Sequence, residues 1–424
     1  MELTTMMINN LANCRKRILL CFFSTMLFMP FHGQNVVGEA QYKEGERFWE
    51  AKDTANAIYS FKAAAELGYT DAMYELIEIY KDEKKDYAEA VLWSRHYIDK
   101  LEEKYSEQPI SSKEDTLDLW IAYYNLAELY KEGGHGIKRN LSLAVTFYEK
   151  ASIYNSSSAN DIFVIADSYL SGDEEENIEE DKKQALILYK KAYNCGSKYA
   201  AYEIGDCYRN GWGTAKNEKK AFEWYNIAAE GEEHIRALNM LGVCYYDGIG
   251  TEKNIEKAVY YMTKAAEKND PASQRNLAFY FLDQAKDDQK AFYWIKKAAE
   301  NGFIEAQKEL GWFYEKGIGT ETDDIMAAKW YQKAADRGNA GGQNNLAMMY
   351  YYGKGVERDF RTSFLLLQKA AEGGNASAQY NLGFFYEEGI GTRKNEEKSI
   401  FWYLKAAEQG HIEAKNKFAD GAFP

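Results

Sequence analysis

The five histidines of the chain, His32, His96, His135, His234 and His411, are where metal or proton chemistry would first be sought, and their spacing supports neither. None stands one helical turn from another or beside a cysteine, as a zinc site requires. His135 lies between Gly134 and Gly136 and reads as a turn residue. No Gly-x-Ser-x-Gly elbow and no phosphate-cradling glycine loop occurs. The acidic groups Glu174 to Glu176, Glu179 to Asp181 and Asp323-Asp324 lack the glycine and terminal glutamate of a calcium loop. Carboxylates of this kind suit solvated turns and helix N-termini. The chain is read as a non-enzyme with no cofactor and no metal.

Cysteine chemistry is equally sparse. Cys14 and Cys21 fall in the first 33 residues, which leaves Cys195, Cys207 and Cys244. Cys207 and Cys244 each follow by two residues the glycine of a recurring segment, Ile204-Gly-Asp-Cys-Tyr208 and Leu241-Gly-Val-Cys-Tyr245. Neighbouring helices pack about 8–10 Å apart, beyond the roughly 7 Å between Cα atoms that a disulfide tolerates. Both are expected to be small buried groups.

The elements that would position any site begin after an export signal. Arg15-Lys-Arg17 precedes an apolar run from Ile18 to Met29 that stops at Pro30, the n-region and h-region of a signal peptide. The run is shorter than the ~20 apolar residues of a membrane span. Residues 1–33 are therefore expected to be a cleaved signal, and the mature chain to be exported without a transmembrane span, periplasmic or secreted if bacterial. Acidic residues number 66 against 52 basic ones, a net charge of −14, which repels phosphate backbones and argues against nucleic acid as a partner. With 4 Pro but 32 Gly and 34 Tyr among 424 residues, the composition is that of short helices separated by glycine turns.

Self-similarity organises the rest. Leu126-Ala127, Ile165-Ala166, Ile204-Gly205, Leu241-Gly242, Leu277-Ala278, Leu310-Gly311, Leu346-Ala347 and Leu382-Gly383 form one series, the last five intervals being 37, 36, 33, 36 and 36. Ala-Ala pairs from Ala228-Ala229 to Ala406-Ala407 keep step with it. Two marks at a constant offset define one copied unit: a first helix, a turn such as Gly317-Ile-Gly319, a second helix and a glycine exit such as Gly338. The unit at 272–301 is three residues short, because Phe281 to Lys286 replaces the glycine turn.

These residues resemble the Sel1-like repeat, a relative of the tetratricopeptide repeat. The resemblance is carried by Ala378-Gln-Tyr-Asn-Leu-Gly-Phe-Phe-Tyr-Glu-Glu-Gly-Ile-Gly391, then Trp402-Tyr403, Ala406-Ala407 and Gly410. It is strong over 197–420 and looser over 122–195, and in 38–68 only the second-helix part, Ala57 to Gly68, is visible. The expected organisation is a signal at 1–33, divergent helical pairs at 34–105, a connector at 106–114 and divergent repeats at 115–195. Regular repeats with a capping helix fill 196–424. The fold implied is all-α, a right-handed α-solenoid in which each unit buries its apolar face against its neighbours.

Helical geometry nominates a binding face. With the motif glycine as zero and about 100° per residue, positions −3, +1 and +4 fall on an arc away from the Leu, +2 and Tyr positions that pack. Position +1 yields an apolar ladder, Phe279, Trp312, Met348 and Phe384, flanked by Arg275, Asn344 and Tyr380 at −3 and by Tyr246 and Tyr351 at +4. Two readings stay open: a concave ligand groove, or side chains that seal neighbouring first helices. The resemblance implies an interaction scaffold holding a peptide or protein segment in that groove. The alternative it implies is a β-lactamase-type hydrolase, as assigned to cysteine-rich members, which carry a cysteine pair in each repeat where this chain does not.

Overall fold

A computed structural model describes residues 33–107, 110, 112–175, 177–230 and 234–419. The expected signal at 1–33 lies outside the described residues except for Gly33, and of the connector at 106–114 residues 108, 109 and 111 also lie outside them. Among the described residues the secondary structure is helical, with two isolated bridges, Gly134 to Ile137 and Asp173 to Ile178, closing tight turns. Two compact units divide the chain between Ile162 and Phe163.

In the first unit the helices Gly33–Glu50 and Thr54–Glu66 form a pair, so the segment around 38–68 holds both halves of a repeat and not the second alone. Its motif glycine is Gly45, where an added Cβ would stand 2.6 Å from the Phe61 ring. Thr70–Glu78 runs into one π turn, Ile79–Glu83, and the 21-residue helix Tyr87–Glu107 follows. Ser112 and Asp115 close a capping box at the start of Lys113–Glu132.

The second unit is an all-α, right-handed α-solenoid of helix pairs. After the pair Ala159–Ser171 and Lys182–Asn194, six first helices, Ala200–Asn210, Ile235–Asp247, Pro271–Asp283, Ile304–Lys316, Ala340–Tyr352 and Ala376–Glu388, alternate with second helices from Glu218–Ala228 to Glu396–Glu408. Asn or Asp starts each of those second helices: Asn217, Asn254, Asp287, Asp323, Asp359 and Asn395 accept a backbone N–H two or three residues on. The Asp323-Asp324 pair is thus a cap and the first helical residue.

The paired turn glycines have separate causes. Gly317 ends its helix at φ +68, the left-handed region that costs a side chain energy. At Gly319 a Cβ would stand 2.1 Å from the Asp288 carbonyl oxygen, so it marks where one repeat presses on the second helix before it. Where Phe281 to Lys286 replaces that turn, Lys286 itself takes φ +53.

Two further devices join helices. The motif glycine receives the second-helix tyrosine: Tyr225 lies against Gly205, Tyr331 against Gly311 and Tyr403 against Gly383, each within 3 Å of where a Cβ would be. Between repeats, Gln274, Gln307, Gln343 and Gln379 are buried and donate to the carbonyls of Ala266, Ala299, Ala335 and Ala371 at 3.0–3.3 Å. Each of these carbonyls also accepts the backbone N–H three residues on, from Asn269, Gly302, Gly338 and Gly374, so the glutamine of the next repeat fills its second lone pair.

Candidate functional site

The second-helix tyrosine, which packs on the motif glycine at Gly205, Gly311 and Gly383 and stands opposite Ala166 in the repeat of Tyr189, emerges on the first-helix face. There its hydroxyl donates to a carboxylate: Tyr189 to Asp167 at 2.5 Å, Tyr225 to Asp206 at 2.5 Å, Tyr331 to Glu315 at 2.8 Å and Tyr403 to Glu387 at 2.6 Å. Burial, then the carboxylate bond, pushes these tyrosine hydroxyls well above their ordinary value, so they remain donors. The face therefore carries fixed acidic groups. Burial also pushes the Glu203 carboxyl up to about 7, against the pull of Arg236 at 3.4 Å.

Most residues of the arc already have partners within the chain. Arg275 holds Glu309 with two hydrogen bonds, Nε to Oε2 at 2.7 Å and Nη2 to Oε1 at 2.5 Å, while its guanidinium lies 4.8 Å from the Phe279 ring centre. Glu309 belongs to the next first helix, so this pair ties two repeats together. Asn344 is buried; it accepts from Asn381 Nδ2 at 2.9 Å and donates to Asn345 at 3.3 Å. Tyr380 stacks on His411 with ring centres 4.7 Å apart. Tyr351 lies 5.4 Å from Phe385 and, with Phe384, packs on the cluster around Leu382, while Tyr246 packs on Met262 and Leu277. Met348 is half-buried. Within the chain, then, Tyr246, Tyr351 and Arg275 contact the following repeat, whereas Tyr380 packs on His411 and Phe384 on the cluster around Leu382.

Trp312 differs. At 36% exposure it is the most open member of the ladder, and it walls a recess of about 320 Å³ on the first helices of three consecutive repeats. Lys308, Glu309 and Trp312 come from Ile304–Lys316, Asn344 and Asn345 from Ala340–Tyr352, and Asn375 and Ser377 from the start of Ala376–Glu388. Of the nine expected site residues, Trp312 and Asn344 meet here.

The arc of −3, +1 and +4 missed what opens the recess. Position −6 falls near 120° and position −2 near 160°, next to +1 on the same helical wheel. At −6 the earlier repeats carry Tyr199, Arg236, Ala272 and Glu305, whereas here two consecutive repeats carry the small residues Gly341 and Ser377. A Cβ at Gly341 would stand 3.0 Å from Lys308 Cδ, so the lysine stem occupies the room the glycine leaves. Extending the wheel to −6 and −2 would have found Glu309, Gly341, Asn345 and Ser377.

Among the described residues no group of three or more His, Cys, Asp or Glu could hold a metal ion. Cys207 and Cys244 are buried free thiols, pushed up by burial to about 12 and about 11. No helix among the described residues is long and apolar enough to cross a membrane.

Comparison with known proteins gives the same architecture. A Sel1 repeat protein from Oxalobacter formigenes is 29% identical, with a TM-score of 0.51 over 58% of this chain and 96% of that one. The c5321 protective antigen of uropathogenic Escherichia coli, an SLR fold, is 25% identical over 90% of this chain and 86% of that one, with a TM-score of 0.43. The chitin synthase regulator SKT5 of Saccharomyces cerevisiae is 33% identical over 116 residues; these are 27% of this chain and 16% of that protein, so the chain spans less than a fifth of that relative. The Sel1 repeat model matches at 120–152, 163–197, 198–232, 235–270, 271–303, 304–339, 340–375 and 376–411. The chain therefore belongs to the Sel1 repeat family, whose repeats form a generally non-catalytic scaffold for protein–protein interaction.

Proposed function

We propose that the chain is an exported adaptor that grips an extended segment of a protein partner on its first-helix face, at the recess beside Trp312. The observation that carries this reading is an exposed indole next to a lysine and three carboxamides, where the other expected site residues are partly or fully buried. Aromatic anchors with adjacent polar groups are what interface hot spots are built from, and side-chain amides can pair with the backbone of an extended peptide. That a stretch of similar repeats occurs in a chitin synthase regulator supports an adaptor acting on another protein.

A photo-cross-linking residue at Ser377 tests it, with a second at Lys329 on a second helix as control. The expected result is one partner band from Ser377, absent from Lys329 and lost when Trp312→Ala is added. Equal labelling from both positions would overturn the assignment of the face. Fractionation of the processed chain tests export, since a chain that keeps residues 1–33 inside the cell would remove that part of the reading.

A further inference from the structure

We infer that the joint between the repeats at 198–232 and 235–270 is an acid-released clasp: His234 closes it as a neutral imidazole, and a proton on that ring opens the first turn of Ile235–Asp247 while the later repeats stay folded. The Trp312 recess takes no part in it, so the inference does not rest on the partner surface.

Two histidines begin helices of the second unit by the same construction. His234 Nδ1 accepts the Ala237 N–H at 3.2 Å, and its ring stacks on Tyr202 with centres 5.1 Å apart. His411 Nδ1 accepts the Ala414 N–H at 3.4 Å, and its ring stacks on Tyr380 at 4.7 Å. A cap accepted at Nδ1 needs the ring proton on Nε2, and a second proton takes the lone pair away. The two sites differ in the charge two residues on. His411 lies 3.3 Å from the Glu413 carboxylate, which can hold an imidazolium once the cap is lost, whereas Arg236 stands at that position after His234. The Arg236 guanidinium is anchored 4.4 Å from the Tyr202 ring centre and 3.4 Å from Glu203. A proton on His234 therefore sets two cations against one tyrosine ring.

The other groups around the ring do not make up for the cap. Tyr199 meets it edge-on at 6.5 Å, and the nearby Asp206 and Asp167 are held by the hydroxyls of Tyr225 and Tyr189. Burial pushes Glu203 up to about 7, while burial and then Arg236 hold His234 below its ordinary 6.5, so Glu203 is neutral before His234 becomes charged. Stability from the cap is thus present above about pH 6.5 and is lost as pH falls through the lower folded value. The joint also lacks the tie used further along. Leu238 stands where Gln274, Gln343 and Gln379 donate to the preceding helix, and His234 comes five residues after Ala229, where Asp270, Asn339 and Asn375 come four after Ala266, Ala335 and Ala371.

Hydrogen exchange of the full chain, read by mass spectrometry and corrected for the intrinsic rate at each pH, tests the clasp. From about pH 7.5 to about pH 5, protection of the first turn of Ile235–Asp247 should fall about tenfold, while Ile304–Lys316 and Ala340–Tyr352 keep theirs. His234→Asn retains a cap, since Asn339 and Asn375 serve at the same position, and should remove the response. Arg236→Gln should move its midpoint to higher pH. Glu203→Gln should leave the response in place, as should Glu232→Gln with Glu233→Gln, the two carboxylates that precede His234 in sequence. Protection unchanged at the lower pH, or falling equally in every repeat, would overturn the clasp. So would a full response in His234→Asn, or its loss in either carboxamide variant.

Discussion

The ring of Tyr331 lies where a side chain on Gly311 would be: a Cβ there would stand 2.6 Å from the ring, whose hydroxyl donates to Glu315 at 2.8 Å. One contact thus packs the two helices of a repeat and also fixes a carboxylate on the first-helix face. Gly311→Ala should cost about 1–3 kcal/mol through overpacking, read as a lowered denaturant midpoint. Adding Tyr331→Leu should recover part of that loss, because Ala347 and Leu367 already occupy the same two positions in the next repeat. Strict additivity of the two changes would show that the ring and the glycine are not coupled.

The Arg275 to Glu309 pair should behave as a partly buried ion pair. Glu309 is 7% exposed, so Arg275→Ala strands a buried carboxylate and is expected to cost about 2 kcal/mol, the exposed guanidinium side moderating the loss. Replacing both, as Arg275→Met with Glu309→Leu, should cost less than Arg275→Ala alone. Urea unfolding of the three variants decides it.

Trp312 and Phe384 occupy the same repeat position with different surroundings. Trp312→Ala should leave the melting temperature nearly unchanged while removing partner capture, because the indole borders an open recess. Phe384→Ala should cost about 2 kcal/mol, since that ring packs on the cluster around Leu382. Similar melting curves for the two variants would contradict this division of roles.

Glu203 predicts a pH dependence with a definite sign. Its folded carboxyl titrates near 7, above its ordinary 4.5, so between these values the folded state binds more protons than the unfolded one. Stability from this group is present below about pH 4.5 and is lost as pH rises through about 7. Glu203→Gln should therefore raise the melting temperature at pH 8 relative to the parent and leave it nearly equal at pH 4.5. A larger gain at pH 4.5 than at pH 8 would reverse the sign and remove the explanation.

The repeat period, the placing of Asp323-Asp324 at a helix N-terminus and the turn at Gly317 were legible in the amino-acid order because each depends on residues a few positions apart. The face of the first helices was legible as a direction, since about 100° per residue fixes where a side chain leaves its own helix. What waits there was not, because it comes from the next helix. Arg275 meets Glu309 and Asn344 meets Asn381 across repeats, and Tyr380 meets His411 at the far end of its own repeat. The divergent pair at the N-terminal end was half hidden for a related reason: Gly45 opposite Phe61 lacks the surrounding motif and is recognised only by its contact. Trp312 and Phe384 are alike by sequence position and by residue class. Only the packed structure separates them, because small residues at 341 and 377 leave space beside one ring while Leu382 and its neighbours close over the other.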